Sequence, residues 1–310
     1  MQEIETKWRR RASLAAGLAT CLAVSVISHP VRAQGILPPS LAQIIAAAPP
    51  VAWRTIDPED TVYLTIPQGR VVIELAPAFA PAHVANIKRL VRAGFFDGLF
   101  VVRAQDNYVV QWGDADSKHP TGGGALRLKA EFDHPFAASD PFVPLPDPDT
   151  YAPLVGFAGG FPAGRDPVKG LTWLTHCYGM VGAGRDADAD SGGGPELYAV
   201  IGQAPRQLDR NVTLVGRVIE GMDIFSALPR GHGDIGFYQI QAEKIPIRSV
   251  KIAADLPAAQ RTSFQALRTD SPALAAAIQN RRFRHDSWYK TAAGHIDICN
   301  VPLPVRTVVK

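Results

Sequence analysis

Two short stretches near residue 61 alternate apolar and polar side chains, Thr61-Val62-Tyr63-Leu64-Thr65-Ile66 and Arg70-Val71-Val72-Ile73-Glu74-Leu75, with Pro67-Gln68-Gly69 between them. That period of two predicts a hairpin of half-buried strands. The period changes over residues 81–93, where Val84, Ile87, Leu90 and Val91 recur at helical spacing with Lys88, Arg89 and Arg92 on the other side. Pro81 suits the first turn of such a helix and Gly94 its stop. Residues 98–113 are strand-like again, as are residues 198–201, 212–219 and 245–252. Between Phe136 and Trp173 the pattern dissolves. Pro141, Pro144, Pro146, Pro148 and Pro153 exclude a central strand from the first half of that stretch, which reads as an insertion. Beyond Asp255, Ser271-Pro272 opens an Ala-rich helix ending near Arg284, and residues 296–309 look extended. Many short strands with few helices predict a closed barrel or a sandwich, and periodicity does not choose between them.

The N-terminus changes the meaning of the composition. Lys7, Arg9, Arg10 and Arg11 precede an uncharged apolar run over residues 12–27, followed by Val31-Arg32-Ala33. This predicts a signal peptide, residues 1–33, cleaved after Ala33. The run is short for an uncleaved membrane anchor. The paired arginines allow twin-arginine export as well as the general route, and Thr20-Cys21 is a poor lipoprotein site. The mature chain is expected in the periplasm or outside the cell, with no membrane contact after cleavage. Removing five bases (Lys7, Arg9, Arg10, Arg11, Arg32) and two acids (Glu3, Glu5) turns 32 Lys+Arg against 29 Asp+Glu into 27 of each. A formally neutral chain lacks the electrostatic footprint of a nucleic-acid binder. The remaining Cys177 and Cys299 either form a disulfide, which an oxidising compartment favours, or stay as buried thiols. The organisation expected is a signal (1–33), a leader (34–57), a main domain (58–254) interrupted at 137–173, and an extension (255–310).

Candidate chemistry comes from a block of residues in fixed order. Gly69 to Leu75 leads into Ala80-Pro81-Ala82-His83-Val84-Ala85-Asn86-Ile87, then Gly94-Phe95-Phe96-Asp97-Gly98-Leu99-Phe100-Val101-Val102-Arg103. Gln111 stands eight residues after Arg103, ahead of Gly113-Asp114, with Thr121-Gly122-Gly123 and Glu131-Phe132 beyond. Later come Gly179-Met180-Val181, Gly192-Gly193-Gly194, Leu197-Tyr198, Leu208-Asp209 and the run from Val215 to Asp223. Over residues 60–135 and 176–253 the chain resembles the cyclophilins. The resemblance implies an eight-stranded closed antiparallel β-barrel with two capping helices, here carrying a Pro/Gly-rich insertion and a C-terminal helical extension. It implies a peptidyl-prolyl cis-trans isomerase acting on proline-containing segments of unfolded or exported proteins, with no cofactor and no metal. Arg103 and Gln111 take the catalytic positions. Tyr108, Val109, Tyr198 and Leu208 take the proline cup, Gly184 and Arg185 offer backbone to the peptide, and Glu196 sits at the rim. A catalytically weak peptide-binding or chaperone module is the alternative. The sequence departs from the family at Val101-Val102 (usually Phe-His), Tyr108 (Phe), Val109 (Met), Glu196 (Gln), Tyr198 (Phe), Arg206-Gln207 (an aromatic) and Val212 (His).

Other constellations are weaker. Asp186, Asp188 and Asp190 begin like a calcium loop, but Ser191 and Leu197 stand where Gly and Glu are needed. Gly192-Gly193-Gly194 lacks the Lys of a phosphate loop. His176 beside Cys177, and His295 near Cys299, are metal ligands only if the tail docks there. The Arg103–Gln111 strand parity predicts that Val101, Arg103, Val109 and Gln111 share faces in pairs.

Overall fold

The strands at 61–66 and 69–75 begin an antiparallel sheet, seen in a computed structural model that describes residues 38–308 apart from 115, 117 and 285–287. The expected signal peptide and its cleavage point lie outside the described residues. Nine strands hydrogen-bond in the order Ile245–Pro246, Phe100–Ala104, Val109–Gly113, Glu196–Val200, Met180–Ala183, Leu214–Glu220, Gly69–Leu75, Thr61–Ile66 and Ser249–Ile252. The sheet curls but its ladder is open, in place of the closed eight-stranded barrel expected. The reason lies in residues 245–252, read from the sequence as one strand. Their first half pairs with Val101 and Phe100 on one edge, and their second half pairs with Val62 to Thr65 on the other. Consecutive pieces of one segment, two residues apart, have no turn with which to pair to each other.

The helix Pro81–Arg92 has Pro at its first positions and Arg89 and Arg92 in its last turn, where cations oppose the helix dipole. Gly94, at φ 71°, follows it in the left-handed region that glycine enters without steric cost. Its buried face holds Val84, Ile87, Leu90 and Val91, as the spacing predicts. His83 and Asn86 are buried as well. His83 bridges the Glu131 carboxylate at 2.6 Å and the Gly192 carbonyl at 2.8 Å, and the Asn86 amide donates to the Ala125 and Gly193 carbonyls at 2.8 Å each. These polar groups fasten the helix to Ala125 and Glu131 and to the glycines at 192 and 193. With Leu64, Ile73, Phe95, Phe96, Trp112 and Phe225 the helix completes the main core. Leu90 is fully buried, so its truncation to Ala costs about 2–5 kcal/mol. The second helix of this part is Met222–Ala227.

The Pro-rich stretch is folded. Its strands order as His134–Pro135, Leu171–Leu174, Phe161–Asp166, Leu154–Ala158 and Val143–Pro144 in a separate five-stranded sheet. The proline-bearing Val143–Pro144 takes an edge, where a missing N–H costs no ladder bond. The extension is not purely helical. Ser263–Leu267 pairs with Trp53–Thr55 of the leader on one side and with Val305–Val308 on the other. The helix Pro272–Arg282, capped by the Ser271 hydroxyl, packs against the leader helix Leu41–Ala46. Leader, insertion and extension thus share one apolar cluster containing Trp53, Phe157, Phe161, Trp173, Leu274 and Ile298. A disulfide joins Cys177 to Cys299 across 122 residues.

Candidate functional site

Arg103 and Gln111 face each other across the hairpin Phe100–Ala104/Val109–Gly113. The register slips between Val101 and Arg103, where an extra residue enters the first strand. Such a bulge re-aims a side chain. Val101 therefore falls in the main core beside Trp112, and the expectation that it shares a face with Arg103 fails. Arg103 turns instead to the face of Val109 and Gln111, and all three line one cavity of about 270 Å³.

The guanidinium is held from three directions. Its Nε donates to the Ile235 carbonyl at 2.6 Å and Nη1 donates to Gln111 Oε1 at 2.9 Å, while Nη2 donates to Gln105 Oε1. The rings of Tyr108 and Phe237 each stand 5.4 Å from it. Burial lowers its pKa, and Tyr108 and Glu196 act the other way. An arginine remains a cation at neutral pH under such a shift. Ile235 is a β-branched residue at φ 47°, a conformation that costs about 1–3 kcal/mol. That backbone delivers the carbonyl received by Arg103 Nε. Ile235, Gln105 and Phe237 escape sequence reasoning, whose only available signal was the cluster of glycines at 231, 233 and 236.

The apolar side of the cavity is built by Tyr108, Val109, Tyr198 and Leu208, the four cup residues expected, together with Val212. Val109 and Tyr198 are buried with Val200 in a small cluster of their own. Gly182 pairs with Tyr198 across the sheet, and a Cβ there would stand 2.4 Å from the phenol. Only glycine leaves that slot open. The Tyr198 hydroxyl meets His176 Nε2 at 2.9 Å.

Gly184 and Arg185 also line the cavity. The Gly184 N–H is already donated to the Glu196 carbonyl at 2.8 Å, so that donor is not free for a peptide. The Arg185 side chain folds back onto the Asn211 and Asp186 carbonyls. Glu196 stands behind Gly184 rather than in the lining, and its Oε1 is buried without a hydrogen-bond partner. Burial pushes its carboxyl pKa up, against the opposing pull of the Gln111 amide. A carboxyl whose folded pKa lies above its unfolded one loses stability as pH rises through the folded value. Glu196→Gln is therefore expected to raise Tm at about pH 8 and leave it nearly unchanged at about pH 4. Thermal unfolding at both pH values checks this, and an equal gain at both contradicts it.

Among the described residues no group of three His, Cys, Asp or Glu side chains is arranged to hold a metal ion. Asp188 is engaged by Arg127 and by the Asp190 N–H. His295 Nδ1 lies 3.1 Å from the Ala293 carbonyl.

The cavity sets an apolar wall beside a buried guanidinium held by fixed hydrogen bonds. The family model described as cyclophilin type peptidyl-prolyl cis-trans isomerase/CLD matches residues 61–253. A probable peptidyl-prolyl cis-trans isomerase of Brucella suis is 28% identical over 186 residues, covering 56% of this chain and 74% of that protein. Human peptidyl-prolyl cis-trans isomerase-like 1 is 26% identical over 217 residues, 69% of this chain and 99% of that one. The crystal structure of cyclophilin AquaCyp293 from Hirschia baltica superposes with a TM-score of 0.67 at 26% identity, covering 86% of this chain and 97% of that chain. The chain belongs to the cyclophilin-type peptidyl-prolyl cis-trans isomerases.

Proposed function

We propose that the protein rotates X-Pro bonds in exported polypeptides, with Arg103 stabilising the twisted amide. The carrying observation is a buried, three-way-held guanidinium beside an apolar wall of Tyr108, Val109, Tyr198 and Leu208. Rotation is slow because it abolishes amide resonance, a barrier of about 18–20 kcal/mol. As the bond twists, the prolyl nitrogen gains a lone pair that the planar amide lacks. A guanidinium has five N–H bonds, and Arg103 spends three on protein acceptors, leaving two for the substrate. Donation to the nitrogen or the flanking carbonyl strengthens as resonance is lost, which is the differential binding that catalysis needs. The cup holds the ring while the preceding residue turns, and Gln111 both steadies Arg103 and borders the peptide's path. Protease-coupled isomerisation of a short Ala-Pro-Phe peptide tests this. A folded protein that does not accelerate the slow phase is a peptide-binding module instead.

Export is supported by the basic and apolar N-terminal pattern ending at Ala33 and by the Cys177–Cys299 disulfide, a bond of oxidising compartments. The mature protein is expected in the periplasmic fraction with Gln34 as its first residue. N-terminal sequencing that returns residue 1 from the cytoplasm rejects the proposal.

A further inference from the structure

Tyr198 is the buried tyrosine of the cup, and its hydroxyl meets His176 at the head of a chain of largely buried charged side chains. His176, with no exposed surface, stacks 11° from parallel with the Tyr198 ring and takes its hydroxyl at 2.9 Å. The other imidazole nitrogen, Nδ1, lies 3.0 Å from Asp209 Oδ1, which also receives the His176 backbone N–H at 2.8 Å. The second Asp209 oxygen accepts from Arg206 Nε at 2.6 Å. The two terminal nitrogens of Arg206 then donate to both oxygens of Asp149 at 2.9 Å. Asp149 belongs to the inserted segment, where its Oδ1 also accepts the Tyr151 and Ala152 N–H groups. The side chains of Arg206, Asp209 and Asp149 are each 5% exposed or less.

In the neutral tautomer that donates Nδ1–H to Asp209, Nε2 is an acceptor and the Tyr198 O–H is its donor. Burial holds that phenol in its protonated form, consistent with donation. Bidentate arginine–carboxylate bonding is the stiffest hydrogen bonding available to side chains. The chain therefore transmits position: a fixed insertion holds Arg206, which holds Asp209, the imidazole and the ring.

We propose that His176 is a positioning residue of the isomerase site. Through the Tyr198 hydroxyl it fixes the aromatic wall of the proline cup, and the Asp209–Arg206–Asp149 chain makes substrate affinity depend on the inserted segment. The proposal rests on the isomerase reading of the cavity. A ring wall contacts the proline equally in the planar and twisted states, so its misplacement weakens binding without slowing chemistry.

The test is a double-mutant cycle on the full mature chain, with Asp149→Asn made in the wild type and in Tyr198→Phe. KM and kcat are read in the coupled assay, Kd by NMR titration of a proline peptide, and folding by Tm. Asp149→Asn is expected to raise KM and Kd about five-fold with kcat changed less than about two-fold, and to have almost no effect in the Tyr198→Phe background. A folded Asp149→Asn protein with unchanged KM and Kd overturns the proposal, as does an equal loss in both backgrounds, which marks a merely structural ion pair. His176→Gln, read in the same two backgrounds, replaces Asp149→Asn if that variant does not fold. Absent acceleration by the wild type rejects the isomerase reading alone, because the Kd cycle still reports on the relay.

Discussion

Arg103→Ala is expected to lower kcat/KM for X-Pro isomerisation by about 10²–10³-fold, with most of the loss in kcat. The magnitude follows from what the side chain contributes. One positioned donor acting on charge that develops in the transition state carries about 2.7–4 kcal/mol. Arg103 is placed to act that way because its guanidinium needs no rearrangement, being already tied to the Ile235 carbonyl, Gln111 and Gln105. The cup of Tyr108, Val109, Tyr198 and Leu208 survives the substitution, so peptide Kd is expected to stay within about three-fold. Residual acceleration over buffer then measures the cup alone. Arg103→Lys separates charge from geometry. A lysine keeps the charge but loses the planar fork that reaches three acceptors at once, so it is expected to resemble Ala more than wild type. A folded Arg103→Ala protein of wild-type kcat removes Arg103 from the mechanism.

Much of this site was legible in the residues. The resemblance to the cyclophilins implies that Arg103 and Gln111 act together, and the hairpin register sets them opposite each other. The cup residues were readable because each occupies a position of the cyclophilin pattern, and all four line the cavity. What could not be read depends on geometry that no local period encodes. Strand parity put Val101 with Arg103, and a one-residue bulge reversed it, because a slip of one residue exchanges the faces of a strand. Ile235 was invisible since its contribution is a carbonyl, available from any residue type. His176 offered only its neighbour Cys177 as a clue, which pointed to metal or disulfide chemistry, whereas its partners Tyr198 and Asp209 lie 22 and 33 residues away.

The fold shows the same division. The helix Pro81–Arg92 announced itself through period, Pro and Gly. In the insertion, Leu154–Ala158 and Phe161–Asp166 pair over five residues, but the five prolines upstream hid them. Prolines exclude a central strand and do not exclude a sheet that uses them at its edge. The pairing of leader with extension is not legible in the residues, because neither has an amphipathic period long enough to declare a partner. Their pairing through Trp53–Thr55 and Ser263–Leu267 joins segments more than 200 residues apart. The insertion is tied to the extension through Asp147, which accepts from Arg282 and from the Ile296 N–H.

Cys299→Ser is expected to destabilise the mature protein by about 4–5 kcal/mol and to lower Tm by roughly 10 °C or more, while leaving isomerase activity at 25 °C near wild type. The bond closes a loop of 122 residues, and in the chain-entropy model its effect grows with the logarithm of that length. The native arrangement has independent supports. Ile298 and Val301 are buried in the shared apolar cluster, the Ile296 N–H reaches Asp147 Oδ2 at 3.0 Å, and Arg282 reaches Asp147 Oδ1 at 2.8 Å. The extension therefore stays docked without the bond, and the loss falls mainly on the unfolded chain, which regains its freedom. Cys299 is the better position to change because it is partly exposed, whereas Cys177 is buried and a hydroxyl there would need a new partner. Thermal unfolding with and without reductant gives the control: wild type in reductant should match Cys299→Ser, and the variant should ignore reductant. Equal Tm for oxidised wild type and variant means that the bond contributes nothing to stability. A variant that keeps its Tm deficit but also loses affinity for the proline peptide means that Cys177 holds His176 in place, and the disulfide then belongs to the support of the cup.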